Sequence, residues 1–216
     1  MKSFVITIMD MKKSVESAKK CIASMPPEFD VQMHPAITPK DDPEQIAENL
    51  GISLRFFRHD GELYSRRLNC IAAFLSHYSL WKKCAEENEE YQIFEHDAIC
   101  VNNIPIKLTY RGCVSLGAPS YGSFQTPKMF GVQPLNSKQY FPGAHAYRLK
   151  PHAAQLMLSY AENMAGPTDV FLANAHFQFL EEFYPWPVIA RDTFTTIQNV
   201  GGCGAKHNFS KDYEIL

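Results

Sequence analysis

No apolar run in this chain approaches the roughly 20 residues needed to cross a bilayer as a helix. Met1-Lys2 leads straight into a strand-like segment, Ser3-Phe-Val-Ile-Thr-Ile8, without the longer apolar stretch and small-residue cleavage site of a secretory signal. A soluble, cytoplasmic protein is therefore expected. Paired cysteines are missing as well: the six (21, 70, 84, 100, 113 and 203) are scattered, with no C-x-x-C. They read as small hydrophobes rather than as a zinc site or a disulfide framework. The chain has no G-x-x-x-x-G-K-S/T, no G-x-G-x-x-G after a strand and no H-E-x-x-H, which argues against P-loop ATPases, dinucleotide dehydrogenases and zincins. Gly112-Cys-Val-Ser-Leu-Gly117 has one residue too many for the G-x-S-x-G elbow of a hydrolase.

What is there fits one globular domain: 216 residues, 45% apolar and 20% charged. The net charge of −2 names no partner, but it hides an asymmetry. Residues 98–161 contain no Asp or Glu, yet they hold Lys107, Arg111, Lys128, Lys138, Arg148 and Lys150. That stretch carries +6 and leaves −8 for the rest. Tyr110, Tyr121, Phe124, Phe130, Tyr140, Phe141 and Tyr147 are interleaved with these cations. The segment reads either as a loop-rich surface that happens to lack acids, or as a surface for a polyanion such as a phosphorylated glycan or nucleic acid.

Strand and helix signals alternate along the chain. Phe4–Ile8 and Val31–His34 read as strands, with a helix from Ser14 to Ser24 stopped by Pro26-Pro27. A short helix is expected from Pro43 to Leu50, and the strongest from Leu68 to Asn88. That helix runs into Glu86-Glu-Asn-Glu-Glu90; acids oppose the dipole at a helix C-terminus, so part of the run reads as solvated loop. Tyr91–Phe94, Ala98–Val101, Cys113–Leu116 and Gly143–Leu149 read as strands. Pro151–Met164 reads as a helix, and Asp169 opens a further helix or turn. Gly201–His207 is Gly-rich and reads as a mobile tail. The alternation predicts an α/β fold with a mostly parallel central sheet flanked by helices.

The chemistry-bearing feature is Glu95-His96-Asp97 at the end of an apolar strand. Side chains alternate faces in a strand, so Glu95 and Asp97 are expected on one face and His96 on the other. Two carboxylates at the carboxyl end of a strand suit a hard divalent cation such as Mn²⁺ or Mg²⁺, which would clamp a diphosphate. The plainer alternative is a pair of ordinary surface acids.

Taken in order, these pieces resemble glycosyltransferase family 25, the lipo-oligosaccharide and collagen galactosyltransferase group. Ala73-Phe-Leu-Ser76-His77-Tyr-Ser-Leu-Trp81 is similar to the family's Ser-His helix. Ile93-Phe94-Glu95-His96-Asp97 is similar to its apolar strand ending in Glu-Asp-Asp, with His96 in place of the middle acid. Gly143-Ala-His-Ala-Tyr147 resembles its Gly-x-x-x-Tyr strand, and Gly166-Pro-Thr-Asp169 its Pro-x-Asp segment. The family's Asn-Leu-Asp-Arg start is here Thr7-Ile8-Met9-Asp10.

The resemblance implies a single GT-A-like (Rossmann-like) domain over 1–216, with 1–97 as the nucleotide-sugar half and 98–216 as the acceptor half. It implies a UDP-sugar or similar donor, a divalent metal and an acceptor hydroxyl. Asp97 and Glu95, with His207, would hold the metal, and Glu95 would alternatively meet the donor ribose. Donor contacts would come from Thr7, Ile8, His77, Glu95, His96 and Lys206. Acceptor contacts would come from Lys128, Lys138, His145 and Tyr147. Asp169 would be either a general base in an inverting transfer or a helix N-cap. His77 would be either a ligand contact or a satisfied core histidine. The acceptor implied by the charge pattern is polyanionic, either a phosphorylated lipo-oligosaccharide or hydroxymethylated phage-type DNA. Two other classes remain: a non-catalytic nucleic-acid- or glycan-binding module, and a metal-dependent phosphoesterase, which would need more His and Asp ligands than can be grouped.

Overall fold

Phe4 and Ile6 point to one side of the first strand and Val5 to the other, and both sides are closed off from solvent. A strand apolar on both faces belongs inside a helix-covered sheet; this one is β1 (Lys2–Thr7). The computed structural model describes residues 1–57, 66–191, 194–198 and 214–216. After β1 come α1 (Lys12–Ser24), β2 (Val31–Pro35), α2 (Pro43–Asn49), α3 (Arg67–Glu87), β3 (Tyr91–Glu95) and β4 (Ala98–Cys100). They are followed by β5 (Cys113–Ser115), β6 (Gly131–Pro134), β7 (Ala146–Leu149), α4 (Pro151–Met164), α5 (Thr168–Phe171), β8 (Leu180–Tyr184) and β9 (Val188–Ala190). Two short strands, β10 (Phe194–Thr195) and β11 (Glu214–Ile215), pair with each other.

Seven strands form one sheet in the order β2-β1-β3-β7-β5-β8-β6. β1 lies parallel to β2 and β3, and β5 parallel to β8. β7 is antiparallel to β3 and β5, and β6 to β8. Five of the seven strands therefore run one way, with β7 and the edge strand β6 reversed. The sheet takes strands from both ends of the chain, which makes one domain of it. α1 covers one face, packing Ala18 and Cys21 with Val5, Phe94 and Ala146. α3 and α4 cover the other, packing Phe74, Trp81 and Met157 with Phe4, Ile93 and Leu149. α3 is enclosed on most of its circumference, as its apolar composition requires.

One local expectation is corrected and another is refined. The strand expected from Gly143 begins only at Ala146, because Gly143 (φ 102°) and Ala144 (φ 49°) form a left-handed turn before it. Strands β6, β8 and β9 carry no clear strand signal. The acidic run after α3 is in part exposed loop, as expected, and it is pinned as well. Asn88 (φ 51°) stops the helix, Glu87 accepts from Lys2 Nζ at 2.6 Å and from the Tyr91 hydroxyl at 2.6 Å, and Glu89 pairs with the amino terminus at 3.1 Å.

The order of strands positions the site. From β1 the chain passes through α1 on one face to β2, then through α2 and α3 on the other face to β3. The winding reverses between β1 and β3, and a crevice opens at their carboxyl ends, where open α/β sheets bind ligands.

Candidate functional site

A cavity of about 620 Å³ occupies that crevice, within the size range of small-molecule and cofactor sites. Its walls are the loops after β1, β2 and β3, one face of α3, the start of α5, and residues 194–198. Asn69, Ala72, Ala73, Ser76 and His77 recur at the helical interval that puts side chains on one face, and the two alanines leave room above the helix. The Ser-His pair has two separate jobs. Ser76 Oγ accepts from Ile37 N at 2.9 Å and donates to Ala72 O at 2.8 Å, which fixes the loop after β2 onto α3. His77 turns the other way, towards β3.

His77 lies between Tyr147 and Glu95, with Nδ1 2.8 Å from the Tyr147 hydroxyl and Nε2 3.1 Å from Glu95 Oε1. The Trp81 indole N–H donates to the same hydroxyl at 2.8 Å. An indole can only donate, so Tyr147 Oη accepts from Trp81 and has its own proton free for His77 Nδ1. His77 then carries its hydrogen on Nε2 and donates it to Glu95. Burial holds His77 down at about 3, which keeps the ring neutral. Burial first, then the nearby Asp97 and Asp169 carboxylates, push Glu95 well above the usual carboxylate range.

Asp169 also lines the cavity. The Tyr121 hydroxyl donates to its Oδ2, and Val170 N donates to Oδ1 at 2.9 Å. Burial raises its pKa, and the Tyr121 and Val170 hydrogen bonds partly offset this. Tyr121 is itself held in place: Lys138 Nζ donates to its carbonyl at 2.6 Å and to the Tyr140 hydroxyl at 3.1 Å. Asp169 is not an N-cap, because α5 begins one residue earlier and Pro167 occupies the cap position.

The structure brings Ile8, His77, Glu95, His96, Asp97 and Asp169 to this one cavity. β3 ends at Glu95, so His96 and Asp97 form a turn and the strand alternation expected of them does not apply. His96 faces the cavity beside the acids, its ring stacked on Phe194 at 5.3 Å and its Nδ1 3.3 Å from Ser14 Oγ. The backbone N–H of Ile8 is already given to Ser14 Oγ at 2.9 Å.

Other expected contacts fail. Thr7 is fully buried and its hydroxyl donates to Val5 O, so it does not reach a donor. Tyr147 is fully buried in the His77 network, and His145 is buried against Gly117, where a Cβ would come within 2.5 Å of its ring; neither meets an acceptor. Lys128 is exposed and outside the cavity. Lys138 acts on the Tyr121 loop rather than on solvent. Lys206 and His207, together with the Gly201–His207 tail, lie outside the described residues.

Much of the basic stretch is also engaged by other groups of the protein. Arg148 is fully buried and donates to Gln92 Oε1 at 2.6 Å and Pro105 O at 2.7 Å. Arg111 pairs with Glu181 at 3.1 Å, and Lys150 Nζ donates to Tyr110 O at 2.6 Å. With Lys138, four of the six cations bond to other groups of the protein, with Arg148 buried and Arg111 at the surface.

Sequence reasoning missed Tyr121 as a site residue, and it missed the ion pair of Asp10 with Lys40 at the rim. Tyr121 lies 48 residues from Asp169 in a loop, and no spacing rule joins them. Among the described residues no three His, Cys, Asp or Glu side chains gather as a ready-made metal cage. Also among them, no helix is long and apolar enough to cross a membrane.

An open α/β sheet with carboxylates beside a cavity at its switch point has the arrangement in which such sheets bind small ligands. The chain belongs to glycosyltransferase family 25: the model of that family, described as glycosyltransferase family 25 (LPS biosynthesis protein), matches residues 1–111, just over half of the chain. The matched part contains Ser76, His77 and Glu95–Asp97; Tyr121, Tyr147 and Asp169 lie beyond it. No curated protein matches the chain. Family membership makes it a glycosyltransferase, with a sugar donor and an acceptor.

Proposed function

We propose that this protein transfers a sugar from a nucleotide-diphosphate donor, UDP-sugar being the first choice, to a hydroxyl of a lipopolysaccharide-type glycan, with inversion. The observation that carries this reading is the convergence of Glu95, Asp97 and Asp169 on one cavity at the carboxyl ends of the strands. In this reading the loops after β1, β2 and β3 hold the donor, and Tyr121 and Asp169 come from the acceptor half.

Glu95 and Asp97 would hold a divalent cation, Mn²⁺ or Mg²⁺. The fit rests on the donor set: oxygen ligands of the hard type, close enough for their charges to oppose one another, an opposition that a cation relieves. Such a cation neutralises charge on the departing diphosphate. His77 keeps Glu95 turned to the cavity through its Nε2 hydrogen. Asp169 takes the proton of the acceptor hydroxyl as that oxygen bonds to the anomeric carbon and the bond to the diphosphate oxygen breaks. Its raised pKa suits it to receive that proton, and Tyr121 orients it.

The family description favours a glycan acceptor. A DNA acceptor and a non-catalytic nucleic-acid module are less favoured, because four of the six cations of the basic stretch already bond to groups of the protein itself. Incubation with a panel of UDP-sugars and Mn²⁺ should release UDP slowly without acceptor. No release from any sugar, together with no Mn²⁺-dependent UDP binding by calorimetry, would overturn the reading.

A further inference from the structure

Tyr121, which meets Asp169, opens a surface segment that continues through Phe124 to Lys128-Met129-Phe130. Phe130 is 81% exposed, Met129 63% and Phe124 40%, a concentration of ring and thioether surface that solvent alone does not favour. These side chains do not stand singly. Phe124 meets Trp186 edge-to-face at 5.7 Å, Trp186 meets Tyr184 edge-to-face at 5.1 Å, and Tyr184 stacks with Phe130 at 6.0 Å.

The topology places this row with respect to the cavity. β3, β5 and β8 run in the same direction, so Glu95 at the end of β3 and Tyr184 at the end of β8 lie on the same edge of the sheet. Three strand intervals separate β3 from β8, roughly 15 Å at the usual spacing. The row therefore extends sideways from the cavity along that edge, and the loop that carries Phe124 and Phe130 also carries the partner of Asp169.

We infer that Phe124, Phe130, Tyr184 and Trp186 form an extended subsite for the oligosaccharide of the acceptor, with Lys128 set to meet a phosphate on it; this rests on the transferase reading above. The apolar C–H face of a pyranose ring stacks on an aromatic face, and a row of paired rings offers successive faces to successive sugars. Charge argues against a membrane as the occupant. Anionic lipid surfaces are held by clusters of about four to eight cations, whereas Lys128 is the cation within this segment and four of its five companions in the acid-free stretch already bond to groups of the protein.

The protein carries its own reporter. Of its two tryptophans, Trp81 is fully buried in the core and Trp186 belongs to the row. Titration with lipid-free lipopolysaccharide core oligosaccharide should change tryptophan emission saturably, and the change should vanish in Trp186→Phe. A Phe124→Ala/Phe130→Ala variant, confirmed folded by its melting curve, should bind about tenfold more weakly, as expected when exposed anchors of a binding site are truncated. Phe130→Ala alone, at the most exposed position, should weaken binding in the same direction. Phosphatidylglycerol–phosphatidylethanolamine vesicles should leave the emission unchanged. A response to vesicles with none to the oligosaccharide would reassign the row to a membrane surface. Silence towards both would remove the subsite. UDP release by the wild type, measured without acceptor, reports on the transferase reading separately, so a silent row in a protein that turns over donor overturns this inference alone.

Discussion

The hydroxyl of Tyr147 sits 2.8 Å from Nδ1 of His77, so a phenol wholly inside the core decides which nitrogen of the histidine faces Glu95. Removing that hydroxyl strands two groups at once, the Trp81 N–H and His77 Nδ1. Tyr147→Phe should lower stability by about 1–3 kcal/mol, the cost of leaving a buried polar group unpaired. Urea denaturation reads it directly, and an unchanged midpoint would show that the network contributes nothing. His77→Gln, which keeps a donor for Glu95, should retain more Mn²⁺-dependent UDP affinity than His77→Leu.

Asp97→Asn removes a charge and little volume. Mn²⁺-dependent UDP binding should be lost in calorimetry while the circular dichroism spectrum stays that of the wild type. Retained affinity would exclude Asp97 from the metal site.

Asp169→Asn should lower kcat by about 10²–10⁴, the range for a positioned general base, with donor affinity within about threefold. That split is expected of a group acting on the acceptor proton in the transition state. A kcat within about threefold of wild type would reduce Asp169 to a positioning role.

The pH profile carries a sign. Asp169 must be ionised to accept a proton, and burial raises its pKa, so activity should rise with pH through a limb above the ordinary carboxylate value of about 4. The Tyr121 hydrogen bond favours the ionised form, so Tyr121→Phe should move that limb to still higher pH. A limb that stays in place or moves down would contradict the assignment.

Glu95 links stability to pH in the metal-free protein. Its folded pKa is raised, so the folded state holds a proton that the unfolded chain gives up, and its contribution falls as pH rises from the unfolded value towards the folded one. Glu95→Gln removes that loss. The variant should gain on wild type in melting temperature at pH 8 relative to pH 5, while losing metal-dependent donor binding. An equal difference at both pH values would mean that Glu95 titrates normally.

Periodicity made α1 and α4 readable, because each buries one apolar face, while β1 and α3 were readable from apolar runs buried on nearly all sides. β8 escaped because Glu181 and Glu182 interrupt its apolar pattern. Both are buried: Glu181 accepts from Arg111 N at 2.6 Å, and Glu182 accepts from Asn136 N and Ser137 N at 2.8 Å. The reversal of β7 was unreadable, since pairing direction leaves no mark on Ala-Tyr-Arg-Leu. Arg148 was read as surface charge because a sequence records the cation and not the carbonyls that meet it. At the site, the acids after β3 were legible from their place at a strand end. The contact of Tyr121 with Asp169 depends on how a long loop folds back, and no local pattern encodes that.

Residues 116–130 leave the sheet at the end of β5 and rejoin it at the start of β6, on the same edge and two strands apart. An excursion whose ends are fixed so near each other can grow at little entropic cost, roughly 0.6 kcal/mol for each doubling of its length. The strands that frame the crevice, β1 to β3, take no part in it. In the proposed reading, a lineage of such enzymes can therefore rewrite residues 122–130, keeping Tyr121 as the partner of Asp169, while leaving untouched the part of the chain that would bind what it spends. For an engineer, the span is the place to exchange sequence when a different recipient is wanted.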